Sequence, residues 1–181
     1  MFSQTRISVG FVWIVIFCHF SCKKETINID ISGDLITPRT YIIPKADQPI
    51  KIDGREDDPS WKKAPFTKDF IDIEGQKTPD QKTRLKMLWD DEFLYIYAHI
   101  EEKHIWATLK NRDTIIFYNN DFEVFISPSN SNHNYGEIEI NALNTVWDLL
   151  LDRPYNTKGN PIFHWNIQGL KTAVHVEGTL L

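Results

Sequence analysis

Cysteine is scarce in this chain of 181 residues, which has only two. Cys18 lies inside an apolar N-terminal run and Cys22 follows that run. If the run is removed as a leader, Cys22 is the one thiol left, which excludes a disulfide within the mature chain and a zinc site of paired cysteines. The histidines show no HExxH or comparable spacing, so they give no sign of a metal site.

Clustered basic residues are also lacking. The chain has 20 Lys and Arg against 25 Asp and Glu, a net charge of -5, and its basic residues are scattered. Phosphate binding requires a concentrated Lys/Arg surface, so nucleic acid is excluded as a partner. The hydrophobic fraction of 41% predicts a globular core, and the six Trp suit either a β-sandwich core or a surface that stacks on sugar rings.

The N-terminus has the features of a bacterial secretion signal. Arg6 precedes the apolar run 9–20, which is shorter than the roughly 20 residues of a membrane-spanning helix. The run ends in His-Phe-Ser-Cys, which resembles a lipoprotein cleavage box, although His19 replaces the usual aliphatic residue. We predict a lipoprotein signal peptide over 1–21 and lipidation of Cys22, which would anchor the protein in the cell envelope, at the outer membrane or cell surface. The alternatives are an ordinary signal peptide or a short membrane anchor with an incidental cysteine.

The segment that follows is poor in aromatic residues and contains the breakers Gly33, Pro38 and Pro44. It predicts a flexible tether over 22–49, with the globular part beginning near residue 50.

From residue 50 onward, sustained helical periodicity is lacking and period-two alternation takes its place. The alternation and turn residues favour a hairpin near the centre of a sheet, a third strand, a second hairpin around Asn144 and a last strand. In that order, these strands cover 85–89 with 93–100, 122–126, 135–142 with 145–151, and 170–176. Short, evenly spaced strands predict an all-β antiparallel sandwich of the immunoglobulin or jelly-roll kind over 50–181.

Four stretches resemble the family 9 carbohydrate-binding modules in their order and spacing. They are IDGREDDPSW, KMLWDDEFLYI, NDFEVFI and EIEINA, which begin at residues 52, 86, 120 and 137. The resemblance implies a β-sandwich that binds carbohydrate without catalysis, is often joined to glycan-degrading enzymes and can carry structural calcium. Family members normally continue with further strands and a second aromatic of the sugar clamp, so we expect a truncated module whose ligand site is incomplete.

Sugar recognition needs flat aromatic faces for the ring and planar polar groups for the hydroxyls. Tyr118, Asn120 and Asp121 offer that mixture just before a strand, and by resemblance Tyr118 falls close to a clamping Trp of some family members. Trp106 and Trp147 are further candidates. The alternative is structural for each: Tyr118 packs on the sandwich, Asn120 caps a turn, and Trp106 and Trp147 plug the end of the sandwich.

Two other groups are assigned structural roles. The resemblance places Trp61 and Trp89 in the core. Asp53, Glu56, Asp57 and Asp58 are candidate calcium ligands without the spacing of an EF-hand loop, and a solvated turn is the favoured interpretation.

A competing enzyme hypothesis rests on two carboxylate pairs, Asp121 with Glu123 and Glu137 with Glu139. Each pair would lie about 6.5–7 Å apart on one strand face, which borders on the spacing of inverting glycosidases. Any strand with one wet face shows the same alternation. We therefore predict non-catalytic capture of a mono-, oligo- or polysaccharide at the cell surface in support of polysaccharide breakdown. A structural or protein-interaction module of the envelope is the alternative.

Overall fold

The computed structural model describes residues 39–75 and 77–180, and the predicted signal peptide and Cys22 lie outside them. Within these residues there is no α-helix. Two antiparallel sheets, β1–β2 and β3–β4–β5–β6, carry the fold, which confirms the all-β prediction. The strands are β1 Thr83–Trp89, β2 Leu94–Ile100, β3 Asp121–Ile126, β4 Tyr135–Asn141, β5 Val146–Leu151 and β6 Pro161–Ile162. Three 3-10 helices cover Pro59–Lys63, Ile116–Tyr118 and Tyr155–Thr157. None of the described residues forms a helix that could span a membrane.

The first predicted hairpin is confirmed as β1 and β2, with Trp89 opposite Leu94. Its turn is fixed by Asp90, whose Oδ1 accepts bonds from the backbone N–H groups of Glu92 and Phe93, both at 2.8 Å. This is the local bonding that favours Asp in turns. The hairpin forms a sheet of its own, so its predicted position near the centre of a larger sheet is wrong.

The segment before residue 50 packs on the domain. The backbone N–H of Ala46 donates to the carbonyl of Trp89 at 2.8 Å, and Lys45 forms a parallel bridge with that residue. Ala46 and Ile50 also pack against a buried cluster of Trp61, Ala64 and Leu88. The Tyr41 hydroxyl also donates to the carbonyl of Pro65, and the compact unit begins at Thr40, about ten residues before the predicted boundary at 49/50.

The second hairpin is confirmed as β4 and β5. Its turn is organised by Asn141, whose Oδ1 accepts bonds from the backbone N–H groups of Leu143 and Thr145, both at 3.0 Å. Asn144 takes a φ of 60°, a left-handed conformation that asparagine tolerates better than most residues. The local bonds and this backbone set the register of β4 against β5.

The two tryptophans predicted to lie in the core, Trp61 and Trp89, differ in their exposure. Trp61 is buried, as expected. Trp89 is 40% exposed, so the prediction that it lies in the core is wrong. Its indole Nε1 donates to the carbonyl of Ile43 at 3.2 Å and Lys45 Nζ lies 5.0 Å from its ring centroid, so it serves to hold the preceding segment on the hairpin.

The predicted last strand, 170–176, belongs to neither sheet. This segment instead contacts several turns. Its Thr172 carbonyl accepts a bond from Asn144 Nδ2 at 3.2 Å, and Lys171 Nζ lies 4.5 Å from the ring centroid of Phe93. Alternating apolar residues predicted a strand, but here they suit an extended segment held by side-chain bonds and packing.

Candidate functional site

One face of the four-stranded sheet gathers four carboxylates. Residues two apart on a strand share a face, and the register places Glu123 opposite Glu139 and Phe125 opposite Glu137. Asp121 and Glu123 on β3 therefore lie beside Glu137 and Glu139 on β4. We call this side of the sheet the carboxylate face.

The β4 side of the carboxylate face is covered, whereas Glu123 on β3 is exposed, so the wet strand face allowed by the sequence holds for β3 and not for β4. Glu139 is 1% exposed and Glu137 is also buried. Glu139 Oε2 accepts a bond from the backbone N–H of Phe117 at 3.1 Å, and the Tyr155 hydroxyl donates to Glu137 Oε2 at 2.6 Å. Two 3-10 helices thus contribute the groups that bind the buried carboxylates.

Three carboxylates meet closely: oxygens of Asp121, Glu123 and Glu139 all lie within 4.8 Å of one another. Burial raises the pKa of Glu139 to about 8, with the charges of Asp121, Glu137 and Glu123 adding to the effect. Burial and the charge of Glu123 raise the pKa of Asp121 to about 6. The pKa of Glu137 is raised by burial as well. Glu139 therefore holds its proton at neutral pH, as a carboxyl buried beside other carboxyls does.

Carboxylate oxygens at these separations are also the kind of ligands that Ca²⁺ takes. Oδ2 of Asp121 is buried and accepts no hydrogen bond from the described residues. Three of the four acidic residues that the sequence indicates for calcium have other partners: Asp53 pairs with Lys51 at 2.8 Å, Glu56 pairs with Lys86, and Asp58 Oδ2 accepts a bond from the backbone N–H of Lys51 at 2.9 Å. If the domain carries calcium, the three carboxylates fit it better than the 53–58 cluster. Calcium binding itself stays a prediction.

Two aromatic side chains stand at the rim of the carboxylate face. The 3-10 helix Ile116–Tyr118 packs Ile116 into a buried cluster with three β5 residues, Trp147, Leu149 and Leu151. Tyr118 is 67% exposed and Phe117 about half exposed, with ring centroids 4.9 Å apart. Tyr118 is therefore accessible to a ligand. Sequence reasoning missed Phe117, whose place at the rim depends on this helix rather than on any motif.

Asn119 and Asn120 join the rim to the segment 104–109. Asn119 is buried, and its Oδ1 accepts bonds from the backbone N–H groups of Thr108 and Leu109 at 3.0 and 2.9 Å. Asn120 is exposed, and its Nδ2 donates to the carbonyl of His104 at 3.4 Å. These bonds hold the backbone at residues 104, 108 and 109, on either side of Trp106, and the Trp106 side chain is itself exposed. The structure therefore leaves the side chains of Trp106, Tyr118 and Asn120 accessible and Asp121 partly buried.

Trp147 is not accessible. It is 4% exposed, stacks on Phe163 with ring centroids 5.6 Å apart and lies 6.3 Å from the ring of Phe117. Its cross-strand partner is Glu139. The proposal of Trp147 as a sugar-stacking residue is corrected: it supports the carboxylate face from within the core.

The burial of Glu139 bears on the enzyme hypothesis. A raised pKa suits a general acid, but the acid must reach the glycosidic oxygen. Glu139 has the highest carboxylate pKa of the cluster and lies under the backbone of Phe117, where no substrate atom contacts it without displacement of that 3-10 helix. The bonds of Glu139 to Phe117 and of Glu137 to Tyr155 therefore favour a structural role for the two buried carboxylates.

Two antiparallel sheets, with no α-helix among the described residues, place the molecule in the class of all-β sandwich domains. The chain belongs to the carbohydrate family 9 binding domain-like family, whose model matches residues 52–158, more than half of the sequence. Searches of curated proteins and of solved structures found no match to this chain.

Proposed function

We propose that this protein binds carbohydrate at the rim of the carboxylate face and performs no chemistry on it. Membership of a family of carbohydrate-binding-like domains supports carbohydrate as the ligand class. It also supports the lack of catalysis, since carbohydrate-binding modules are non-catalytic. The observation that carries the location is the exposed pair Phe117 and Tyr118 directly preceding Asn120 and Asp121.

The rim supplies both halves of sugar recognition. Tyr118 presents a flat apolar ring for the C–H side of a pyranose, and its hydroxyl remains available to a sugar hydroxyl. Asn120 and Asp121, two and three residues after Tyr118, add an amide and a carboxyl group. Because the site is shallow, affinity should be modest, on the order of micromolar to millimolar.

Affinity electrophoresis of the full chain through gels that contain soluble polysaccharides tests this proposal. We expect at least one polysaccharide to retard the wild type and Tyr118→Ala to migrate as in the empty gel. Ile73→Ala serves as the control, since it removes a fully exposed apolar side chain outside the rim. Equal retardation of wild type and Tyr118→Ala would contradict the proposed location.

We further propose that the protein acts as a lipid-anchored module of the cell envelope, at the outer membrane or cell surface, where it holds saccharide for glycan-degrading enzymes. Support for the anchor comes from the sequence around Cys22 and support for the enzymes from the family resemblance. We expect wild type to incorporate a labelled fatty acid and Cys22→Ala to lose that incorporation. Release of unlabelled wild type from cells would contradict the anchor.

A protein-interaction module is the second candidate. The observation in its favour is a set of exposed apolar side chains at Tyr155, Ile162 and Phe163, beyond what sugar binding at the rim requires. Loss of partner capture in Phe163→Ala with unchanged polysaccharide retardation would assign these residues to a protein contact.

A further inference from the structure

A shallow, open pocket lies at the opposite end of β3 from Asp121. Its volume is about 470 Å³, within the range of small-molecule sites. Phe125 and Tyr135 supply its aromatic wall, and residues of the loop 127–134 supply most of the rest. This pocket lies outside the rim already described.

The aromatic wall combines an exposed ring with an anchored one. Phe125 is 53% exposed, and its ring centroid lies 6.2 Å from that of Tyr135. Tyr135 is half-buried and packs against the cluster that contains Leu149 and Leu151. The two rings are tilted by 51° to each other, so Tyr135 supports Phe125 from one side while the exposed Phe125 ring offers its flat face to a ligand. A ring supported in this way needs less ordering, which lowers the entropic cost of binding.

The loop beside this wall is fixed by its own bonds. Ser127 Oγ bonds to the carbonyl of Ser131 and accepts from the backbone N–H of Ser131 at 3.3 Å. The backbone N–H of Asn134 donates to the carbonyl of Asp152 at 3.1 Å. Among the described residues, the side-chain amides of Asn130 and Asn132 have no hydrogen-bond partner. Both line the pocket, so two free planar amides face the same space as the Phe125 ring.

The chemistry of the lining selects a neutral ligand. All the described residues that line this pocket are uncharged: aromatic, aliphatic, Ser, Asn and Pro. Free amides beside an aromatic ring suit sugar hydroxyls, whereas a uronic acid or sulfate would find no cation here. Apolar protein partners would leave the two Asn amides unpaired, which costs binding energy.

Phe125 also shares a strand face with Asp121. The two residues are four apart on β3, a distance of about 13 Å at 3.3 Å per residue. This span exceeds one pyranose ring. A saccharide that covers both the rim and the pocket must therefore contain several rings.

We infer that the Phe125–Tyr135 pocket is a second subsite that binds a neutral unit of an oligosaccharide whose other end occupies the rim. This inference rests on the proposed function, and it specifies the ligand as a neutral chain rather than a single sugar. Length dependence should then come from Phe125, while binding of the shortest ligand should come from Tyr118.

Isothermal titration of the full chain with neutral malto-, cello- and xylo-oligosaccharides of one to six units tests the inference. For the series that binds, we expect affinity to rise about tenfold between one unit and the length that spans both sites. Phe125→Ala should abolish that rise and leave affinity for the single unit within twofold of wild type. Phe125→Tyr should retain the rise because it keeps the flat ring.

Phe125→Leu is the matched control, since it keeps an apolar side chain but loses the ring, and it should behave like the Ala variant. Affinity independent of chain length in wild type, or equal length dependence in Phe125→Ala, would overturn the second subsite and leave the rim site intact. Binding of none of the saccharides by wild type would overturn both. Thermal melting of each variant shows that it is folded.

Discussion

At the scale of single residues, Glu139 has the most unusual environment. Its pKa is raised to about 8, mainly by burial, and Asp121 follows with a pKa of about 6. A carboxyl whose pKa is higher in the folded state favours folding in its protonated form. The stability that it contributes is fully present below the unfolded pKa, near 4.5, and is lost as pH rises through about 8.

Glu139→Gln tests this environment because the amide imitates the protonated acid in shape and cannot ionise. We expect the variant to match wild type in Tm at pH 5 and to exceed it by roughly 3 °C or more at pH 8, since a chain of this size gains about 2–4 °C per kcal/mol. Thermal melts across this pH range give the difference. An unchanged difference between pH 5 and pH 8 would contradict a raised pKa at Glu139.

Lys86 is a second residue with an unusual environment, a buried cation on β1. It pairs with Glu56 and its Nζ lies 4.5 Å from the ring centroid of Phe66. Glu56→Gln keeps the shape but removes the charge that balances this ammonium group. We expect the free energy of unfolding to fall by about 2 kcal/mol in urea denaturation.

The double variant Glu56→Gln with Lys86→Met provides the control for that prediction. Because it removes the buried cation as well, it should recover much of the loss. Equal stability of Glu56→Gln and wild type would show that the pair contributes nothing.

At the scale of elements, the backbone at residue 54 closely approaches the backbone at residues 174–175. Gly54 has a φ of 78°, and a Cβ there would lie 2.4 Å from the backbone nitrogen of His175. Gly169 has a similar φ of 77° with nothing within 4 Å of a Cβ. The two glycines separate backbone strain from collision.

We therefore expect Gly54→Ala to destabilise the domain by clearly more than Gly169→Ala, which should cost about 1 kcal/mol from its positive φ alone. Urea denaturation of both variants measures the difference. If both lose the same stability, residues 174–175 do not pack on residue 54.

Sequence predicted the two hairpins because their alternation and turn residues are local signals. Asp90 and Asn144 mark turns by their own bonding and backbone preference, with no help from distant residues. The segment 170–176 alternates equally well yet joins no sheet, because strand pairing requires a partner edge that alternation does not reveal. The exposure of Trp89 was missed for a similar reason, since it depends on contacts with residues 43–45, more than forty positions away.

At the scale of the whole molecule, the candidate site also combines features that the sequence predicts with features that only the fold reveals. Sequence identified Tyr118, Asn120 and Asp121 from their residue types, and the structure leaves Tyr118 and Asn120 exposed. It could not predict that Glu123 and Glu139 meet across two strands, that Phe117 covers Glu139, or that Trp147 is buried. Those features follow from register and from the packing of a 3-10 helix, which act between segments rather than within them.

The central claim is that saccharide binds at the rim formed by Phe117 and Tyr118. Intrinsic tryptophan fluorescence of the full chain, titrated with saccharides, tests it most directly, because Trp147 lies beneath Phe117 and exposed Trp106 lies in a segment bound to Asn119 and Asn120. The account predicts a saturable change that Tyr118→Ala abolishes and Tyr118→Phe retains. A saturable change of equal size in Tyr118→Ala, or no change from a folded wild type with any saccharide, would contradict it.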